Sequence, residues 1–197
     1  MELIIIAGMP ASGKTTIAKK ISDHFGFPIL EKDAIKEELF DTIGFKNYQE
    51  KCMHDIAANA VLLRCTEALI QSNTSAIIVN NFRTEMQGRL QKVIDEYKCN
   101  AVVVFLNGDS DVLYQRYVER DNKHLRHLGH ILQDRYPPLE NDSRDYEMTR
   151  EEFAYKFERL GMKDICVNCK RIDIDATYPE TIDVDHLISE LEALIKA

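Results

Sequence analysis

Residues 3–16 constrain this chain more than any other segment, because an apolar run leads there into a glycine-rich turn and then into a helical pattern. Residues 3–7 are apolar, as in a buried parallel strand, and residues 15–24 are amphipathic, as in a helix packed on a sheet. All fixed positions of the phosphate-binding pattern G-x-x-x-x-G-K-[ST] are occupied, by Gly8, Gly13, Lys14 and Thr15. The segment therefore predicts a nucleoside triphosphate site with the phosphates at the start of a helix.

The residues of this turn have distinct expected tasks. The Lys14 ammonium is placed to act at the bridge between the β- and γ-phosphates, and the Thr15 hydroxyl is placed to bind Mg²⁺. The contacts to the nucleotide are expected from Gly8, Ala11, Ser12, Gly13, Lys14, Thr15 and Thr16.

Length and charge narrow the class of protein. With 197 residues the chain is long enough for one α/β domain, residues 1–197, with room for a helical insertion. Its net charge of −8, without a cluster of lysine and arginine, argues against nucleic acid as an obligate partner. The chain starts directly in a strand, and its apolar runs are too short to cross a bilayer. We therefore expect a cytoplasmic protein with no membrane partner.

Strand and helix patterns alternate along the chain, which predicts a parallel sheet with helices on both faces. The strands are expected at residues 3–7, 27–31, 75–79, 101–106 and 171–175. The helices are expected at residues 15–24, 34–41, 48–72, 85–97, 111–121, 149–160 and 184–196. The longest helix is predicted from the spacing of its apolar residues, Ile56, Ala60, Leu63 and Leu69. Residues 122–148 are polar and lack such spacing, so we expect a mobile lid or an irregular substrate loop there.

Asp33 is the candidate acid of the site. It follows the second predicted strand, and the ligand crevice of a parallel sheet lies at the carboxyl ends of its strands. From there a carboxylate can orient an acceptor hydroxyl or take its proton during phosphoryl transfer. The alternative is a plain helix N-cap, and the two roles are compatible.

Three arginines precede or enter the polar segment, Arg116, Arg120 and Arg126. Phosphoryl transfer leaves charge on the equatorial oxygens, which guanidinium groups of a closing lid neutralise. The alternative is that each arginine lies on the solvated surface. A further short motif, Asp173-Ile-Asp175-Ala176-Thr177, ends the last strand, where an adenine can lie against the backbone or the chain simply leaves the sheet.

These motifs together resemble the P-loop kinases of the zeta-toxin, polynucleotide-kinase-like and chloramphenicol-phosphotransferase-like group. The resemblance covers about residues 1–177. It is carried by the phosphate loop, the segment starting Lys32-Asp33-x-Ile-Lys-Glu, the spacing Arg116-x-x-x-Arg120, the element Arg126-His127-x-Gly129-His130 and the terminal Asp-Ala-Thr.

The resemblance implies a five-stranded parallel sheet in the order 2-3-1-4-5 within a single kinase domain, monomeric or homodimeric. It also implies ATP as the donor, Mg²⁺ as the cofactor and a hydroxyl group of a small polar molecule as the acceptor. By the same resemblance Asp33 is the base, Arg120 and Arg126 are lid arginines that act in catalysis, and Arg116, Ala176 and Thr177 contact the nucleotide.

One position departs from this group, whose members carry an acid at the end of the third strand. Here the chain reads Ile78-Val79-Asn80-Asn81-Phe82-Arg83, without a carboxylate. Either an amide oxygen of Asn80 or Asn81 holds a metal-bound water, or Asp33 serves the metal as well. Asn81 and Arg83 are also candidates for contact with the acceptor. The departure leaves two rival functions, a nucleotide-binding regulatory module without phosphotransfer and a polynucleotide 5′-kinase.

Overall fold

A parallel sheet of five strands runs through the centre of the chain, in a computed structural model that describes residues 1–123, 125–139 and 148–196. Its strands are Glu2–Gly8 (β1), Ile29–Glu31 (β2), Ala76–Val79 (β3), Asn100–Asn107 (β4) and Lys170–Asp175 (β5). Their spatial order is β2-β3-β1-β4-β5, and every neighbouring pair is parallel. The predicted fold class and strand order are confirmed.

Helices connect the strands and cover both faces of the sheet. They are Lys14–Phe25 (α1), Lys32–Ile43 (α2), Tyr48–Gln71 (α3), Thr84–Tyr97 (α4), Ser110–Asn122 (α5), Leu128–Ile131 (α6), Arg150–Arg159 (α7) and Val184–Lys196 (α8). Within the described parts of the chain, no helix combines the length and the apolarity that a membrane span needs.

The alternation of side chains along β1 builds two cores at once. Leu3, Ile5 and Ala7 pack with residues of α3 and α4 on one face, whereas Ile4 and Ile6 pack with α1 and α8 on the other. All five side chains are at most 1% exposed, and burying each large one contributes about 1.5–3 kcal/mol. The result is a rigid sheet, and the residues at the carboxyl ends of its strands form the candidate site.

The described part of the polar segment, residues 125–139, packs against α2 and the turn after it. Phe45 and Tyr136 exchange two backbone hydrogen bonds of 2.8 Å, and Gly129 of α6 lies directly against the ring of Phe40. Residue 124 and residues 140–147 of the expected lid lie outside the described residues. The mobility of the lid stays a prediction.

Two expectations about local structure need correction. Asp33 is not the N-cap of its helix, because α2 already begins at Lys32 and Glu31 occupies the capping position. Asp33 therefore lies in the first turn, where its side chain bonds to Lys32 and lines the site. The apolar spacing correctly predicted α3, but Ile56 is 60% exposed while Asp55 beside it is buried.

Candidate active site

The turn between β1 and α1 has the backbone of a phosphate loop. Gly8 has a φ of 133°, and a Cβ atom there would lie 1.9 Å from the backbone oxygen of Leu106. Gly13 precedes α1 with a φ of 87°. Both conformations strain any residue with a side chain, so the glycines of the motif are required by geometry.

The Lys14 side chain curls back into this loop. Its Nζ donates to the backbone oxygens of Gly8 (3.2 Å) and Met9 (2.8 Å). Burial, opposed by the Asp33 carboxylate and aided by the Arg120 cation, lowers the pKa of Lys14 to about 8. An anion beside this ammonium would raise the pKa again, which is the electrostatic signature of a phosphate site.

The loop leaves polar groups that suit bound phosphates. The Ser12 hydroxyl is fully buried and lacks a hydrogen-bond partner among the described residues. The first turn of α1 has neither a side-chain cap nor an acidic residue. A nucleotide phosphate fits here because it accepts bonds from such orphan donors and is favoured at a helix N-terminus.

Thr15 contacts a carboxylate that the sequence analysis missed. Its Oγ1 donates to Oε1 of Glu31 at 2.5 Å, and Glu31 is the last residue of β2. Burial raises the pKa of Glu31, against the effect of the Thr15 hydrogen bond. A hydroxyl and a carboxylate oxygen are ligands that Mg²⁺ prefers, so the pair fits this ion. The available signal was an acid directly at the end of a predicted strand.

No group of three or more His, Cys, Asp and Glu side chains that suits a metal forms within the described ranges. A Mg²⁺ site at Thr15 and Glu31 is compatible with this, because the ion keeps several waters and takes further oxygens from nucleotide phosphates.

Asp33 is held as an anion. Its Oδ1 lies 2.8 Å from Nζ of Lys32. Burial acts to raise the pKa of Asp33, but the Lys32 ammonium, with the fields of His130 and Arg126, keeps it well below the ordinary value. A carboxylate with so low a pKa accepts a hydrogen bond readily and takes a proton only late in a reaction.

Asp55 of α3 is a buried hub of charge that the sequence analysis missed. Its Oδ1 lies 2.8 Å from Nζ of both Lys32 and Lys36, and its Oδ2 lies 3.2 Å from a guanidinium nitrogen of Arg83. Despite burial, these three cations hold the pKa of Asp55 far below its usual range. The available signal was a polar stripe on a long helix, Lys51, Asp55 and Asn59, at intervals of four residues.

Arg120 and Arg126 converge on one tyrosine. Their guanidinium carbons lie 5.6 Å and 5.3 Å from the ring centre of Tyr117, and both pair with Oδ1 of Asp121, at 3.8 Å and 3.6 Å. Burial lowers the pKa of Arg120, and the charge of Arg126 adds to this effect. Two crowded guanidinium groups in the cavity form the electrostatic arrangement that neutralises a phosphoryl group.

Arg116 joins α5 to the loop that follows β5. It donates to the backbone oxygens of Ala176, at 2.8 Å, and of Thr177. The Thr177 hydroxyl in turn accepts from the backbone nitrogen of Asp109 at 2.9 Å. The structure therefore brings together Arg116, Ala176 and Thr177, which are expected to contact the nucleotide. Ala176 and Thr177 do not line the cavity itself.

The two asparagines after β3 differ in whether their side-chain amides are already hydrogen-bonded within the protein. Asn80 is buried, and its amide donates to Oδ1 of Asn59 while its own oxygen accepts from the backbone nitrogen of Asn81. Both ends of that side chain are thus engaged within the protein. Asn80, Asn81 and Arg83 all line the cavity, but because the Asn80 amide is already bonded at both ends, Asn81 is the asparagine better placed to act on a ligand.

A single cavity of about 560 Å³ connects these groups. Its lining includes most of the predicted site residues, namely Ala11, Gly13, Lys14, Thr15, Thr16, Asp33, Asn81, Arg83, Arg116, Arg120 and Arg126. Gly8 and Ser12 are buried within the loop and do not line it.

Comparison with known proteins places the chain in a family. The sequence profile of the AAA domain family matches residues 3–138, more than half of the chain. The chain belongs to this family. The matched region of the AAA domain runs from β1 through α6 and so contains the phosphate loop, Asp33, Asp55 and all three arginines. The narrower resemblance to the zeta-toxin and chloramphenicol-phosphotransferase group stays a prediction.

Several kinases are similar to this AAA domain. A provisionally named kinase from Chloroflexus aurantiacus superposes with a TM-score of 0.80 at 25% identity, over 98% of this chain and 97% of that one. A gluconokinase from Sinorhizobium meliloti superposes with a TM-score of 0.56 at 15% identity, over 99% and 91%, which shows the fold alone. A cytidylate kinase from Acinetobacter baylyi is 33% identical over 73 residues. That match covers 37% of this chain and only 30% of the relative.

Proposed function

We propose that this chain is an ATP-dependent kinase that transfers the γ-phosphate to a hydroxyl group of a small polar molecule. The observation that carries the proposal is the convergence in one cavity of a phosphate loop, two carboxylates at the end of β2 and the arginines of the α5–α6 region. The kinases among the similar structures support the same class of reaction.

The donor side of the site consists of the loop and the arginines. Lys14 binds at the bridge between the β- and γ-phosphates, and the backbone of residues 11–16 surrounds the β-phosphate. Arg120 and Arg126 neutralise the charge that gathers on the γ-phosphoryl oxygens as the bridge breaks. Arg116 holds the Ala176–Thr177 backbone, against which the adenine lies.

Asp33 acts on the acceptor hydroxyl. Its carboxylate accepts a hydrogen bond from the hydroxyl and points the oxygen at the γ-phosphorus. As the new P–O bond forms and the bridging P–O bond to ADP breaks, the proton passes from the hydroxyl to Asp33. A loose transition state needs this transfer only late, which suits a carboxylate of low pKa.

Thr15 and Glu31 are the residues that would hold Mg²⁺. When bound there, the ion supplies positive charge that offsets that of the β- and γ-phosphates. Glu31 approaches from β2, so it supplies the acid that is missing after β3. This removes the main argument for a regulatory module without phosphotransfer.

The proposal is tested by ADP release from ATP and Mg²⁺ with a panel of small hydroxyl compounds. We expect Lys14→Ala to lower turnover on the order of 10²–10³-fold, because the charge at the breaking bridge is lost. Lys19→Ala is the matched control, since Lys19 lies exposed on the same helix. Equal nucleotide affinity and equal turnover in wild type and Lys14→Ala would overturn the assignment.

A further inference from the structure

The cavity carries the opposite charge from the chain as a whole. Nine lysine and arginine side chains but only five aspartates and glutamates of the described residues line it, whereas the chain has a net charge of −8. An excess of four positive charges in a cleft raises the local concentration of anions.

A bound nucleotide accounts for only part of this charge. Four of the cations lie on the donor side described above, Lys14, Arg116, Arg120 and Arg126. Of the other five, Lys32, Lys36 and Arg83 pair with Asp55, and Lys51 and Lys156 line the same cavity. Among the described residues, Asp33 and Asp55 pair with this second group at 2.8–3.2 Å, and Glu85 pairs with Arg83 at 4.0 Å.

Three of these five cations are already engaged. Lys32 and Lys36 both donate to Asp55 at 2.8 Å. Lys51 donates to the backbone oxygens of His130 and Leu132, so it fastens α6 and the residue after it to α3. The ammonium groups of these three lysines are therefore already bonded to other groups of the protein.

Arg83 and Lys156 retain free binding capacity. Arg83 uses one nitrogen on Asp55 at 3.2 Å, and its side chain is 30% exposed. Lys156 of α7 is half-buried and forms no salt bridge among the described residues. After burial itself, the influences that most lower the pKa of Lys156 are the charges of Arg83 and Arg126. Both side chains line the same cavity, and two cations that repel each other are stabilised when an anion binds to both.

We propose that the acceptor is itself an anion, whose carboxylate or phosphate group binds between Lys156 and Arg83 while its hydroxyl lies at Asp33. This inference rests on the proposed function, because it names the class of acceptor for the same site. A neutral acceptor would leave Lys156 without an anionic partner among the described residues and Arg83 with only its shared acids, whereas an anionic group forms charge-assisted hydrogen bonds with both.

The test uses inorganic phosphate and acetate as probes for the two kinds of anion. Each is titrated by calorimetry into protein saturated with Mg²⁺ and the β,γ-imido analogue of ATP, so that the loop and the γ-phosphate position are already filled. We expect at least one probe to bind. Binding of phosphate alone indicates a phosphate ester as the acceptor, and binding of acetate indicates a carboxylic acid.

Variants locate the bound probe. Lys156→Gln should weaken binding about tenfold or more, since a charge-assisted hydrogen bond is lost, and Arg83→Gln should act in the same direction. Lys163→Gln is the matched control, because Lys163 lies just beyond α7 and pairs with Glu158 at 2.8 Å. We expect no change in that variant.

The outcomes separate this inference from the proposed function. If neither probe binds, or if Lys156→Gln binds the probe as tightly as wild type, the anionic acceptor is refuted while the kinase assignment stands. If wild type fails to bind the ATP analogue in the preceding titration, the proposed function itself fails. Affinity for the analogue should be the same in Lys156→Gln and in wild type, which shows that the variant is folded.

Discussion

The two walls of the cavity are built in different ways. The donor wall is the phosphate loop, whose function comes from consecutive residues and their backbone. The proposed acceptor wall is formed by side chains from α2, α3 and the start of α4, which meet around Asp55, and by Lys156 of α7, which lines the same cavity. A local motif can thus specify how the phosphates are bound, while the choice of acceptor depends on long-range packing and buried charge.

Asp33 lies where the two walls meet, and changing it should have the largest effect. Asp33→Asn should lower phosphoryl transfer on the order of 10²–10⁴-fold, with affinity for the ATP analogue unchanged. Glu38→Gln, an exposed acid of the same helix, is the control. If Asp33 serves Mg²⁺, the variant should instead recover its rate at higher Mg²⁺. A rate equal to wild type at all Mg²⁺ concentrations would exclude Asp33 from the mechanism.

Asp55 tests whether the acceptor wall depends on buried charge. Asp55→Asn should lower the free energy of unfolding by about 3–5 kcal/mol, because Lys32, Lys36 and Arg83 lose their shared partner. Asp173→Asn is the control, since its pair with Arg171 is largely exposed and should contribute less than about 1 kcal/mol. Urea unfolding measures both. Equal losses in the two variants would contradict the view of Asp55 as the hub.

Gly129 tests how the α6 segment is attached to the acceptor wall. A Cβ atom there would lie 2.3 Å from Cδ2 of Phe40, a fully buried ring. Gly129→Ala should therefore destabilise the protein by about 1–3 kcal/mol and speed hydrogen exchange in α6. Gly88→Ala has no neighbour within 4 Å in helix α4, so it should stabilise by up to about 1 kcal/mol. The idea fails if Gly129→Ala behaves like Gly88→Ala.

His130 gives the smallest effect near neutral pH, because its contribution appears only as the pH is lowered. Burial, aided by Arg126, lowers its pKa to about 4 despite a hydrogen bond to Glu37. The unfolded chain takes up this proton near pH 6.5. Between pH 6.5 and 4 the unfolded state therefore binds more protons than the folded state. As the pH is lowered through this range, the free energy of unfolding falls by at most about 1.4 kcal/mol per pH unit. Thermal unfolding of His130→Gln should show a shallower slope; an identical slope would contradict the shift.

The parts of the molecule that the sequence predicts correctly share one property: each is specified by a pattern within a short stretch of chain. The strand predicted from the apolar run at residues 3–7 and the long helix predicted from apolar spacing are both seen in the structure, as β1 and α3. Where prediction failed, tertiary contacts decided the outcome, since the Lys32 ammonium beside Asp33 is also held by Asp55 of α3. The Asp33 pattern fits a helix cap locally, yet α2 starts at Lys32, and the Asp33 carboxylate pairs with the Lys32 ammonium inside the cavity.

The sequence by itself determined the fold class and the phosphate loop, because both follow from patterns within short stretches of the chain, while the strand order was implied by the family resemblance. Only the tertiary structure decided that Glu31 meets Thr15, that Asp55 pairs with three cations and that Lys156 and Arg83 line the same cavity. The spacing of these residues along the chain does not indicate that they meet. They form because the rigid sheet brings the carboxyl ends of its strands together and the helices close around them, where low polarity makes each pairing of charges decisive.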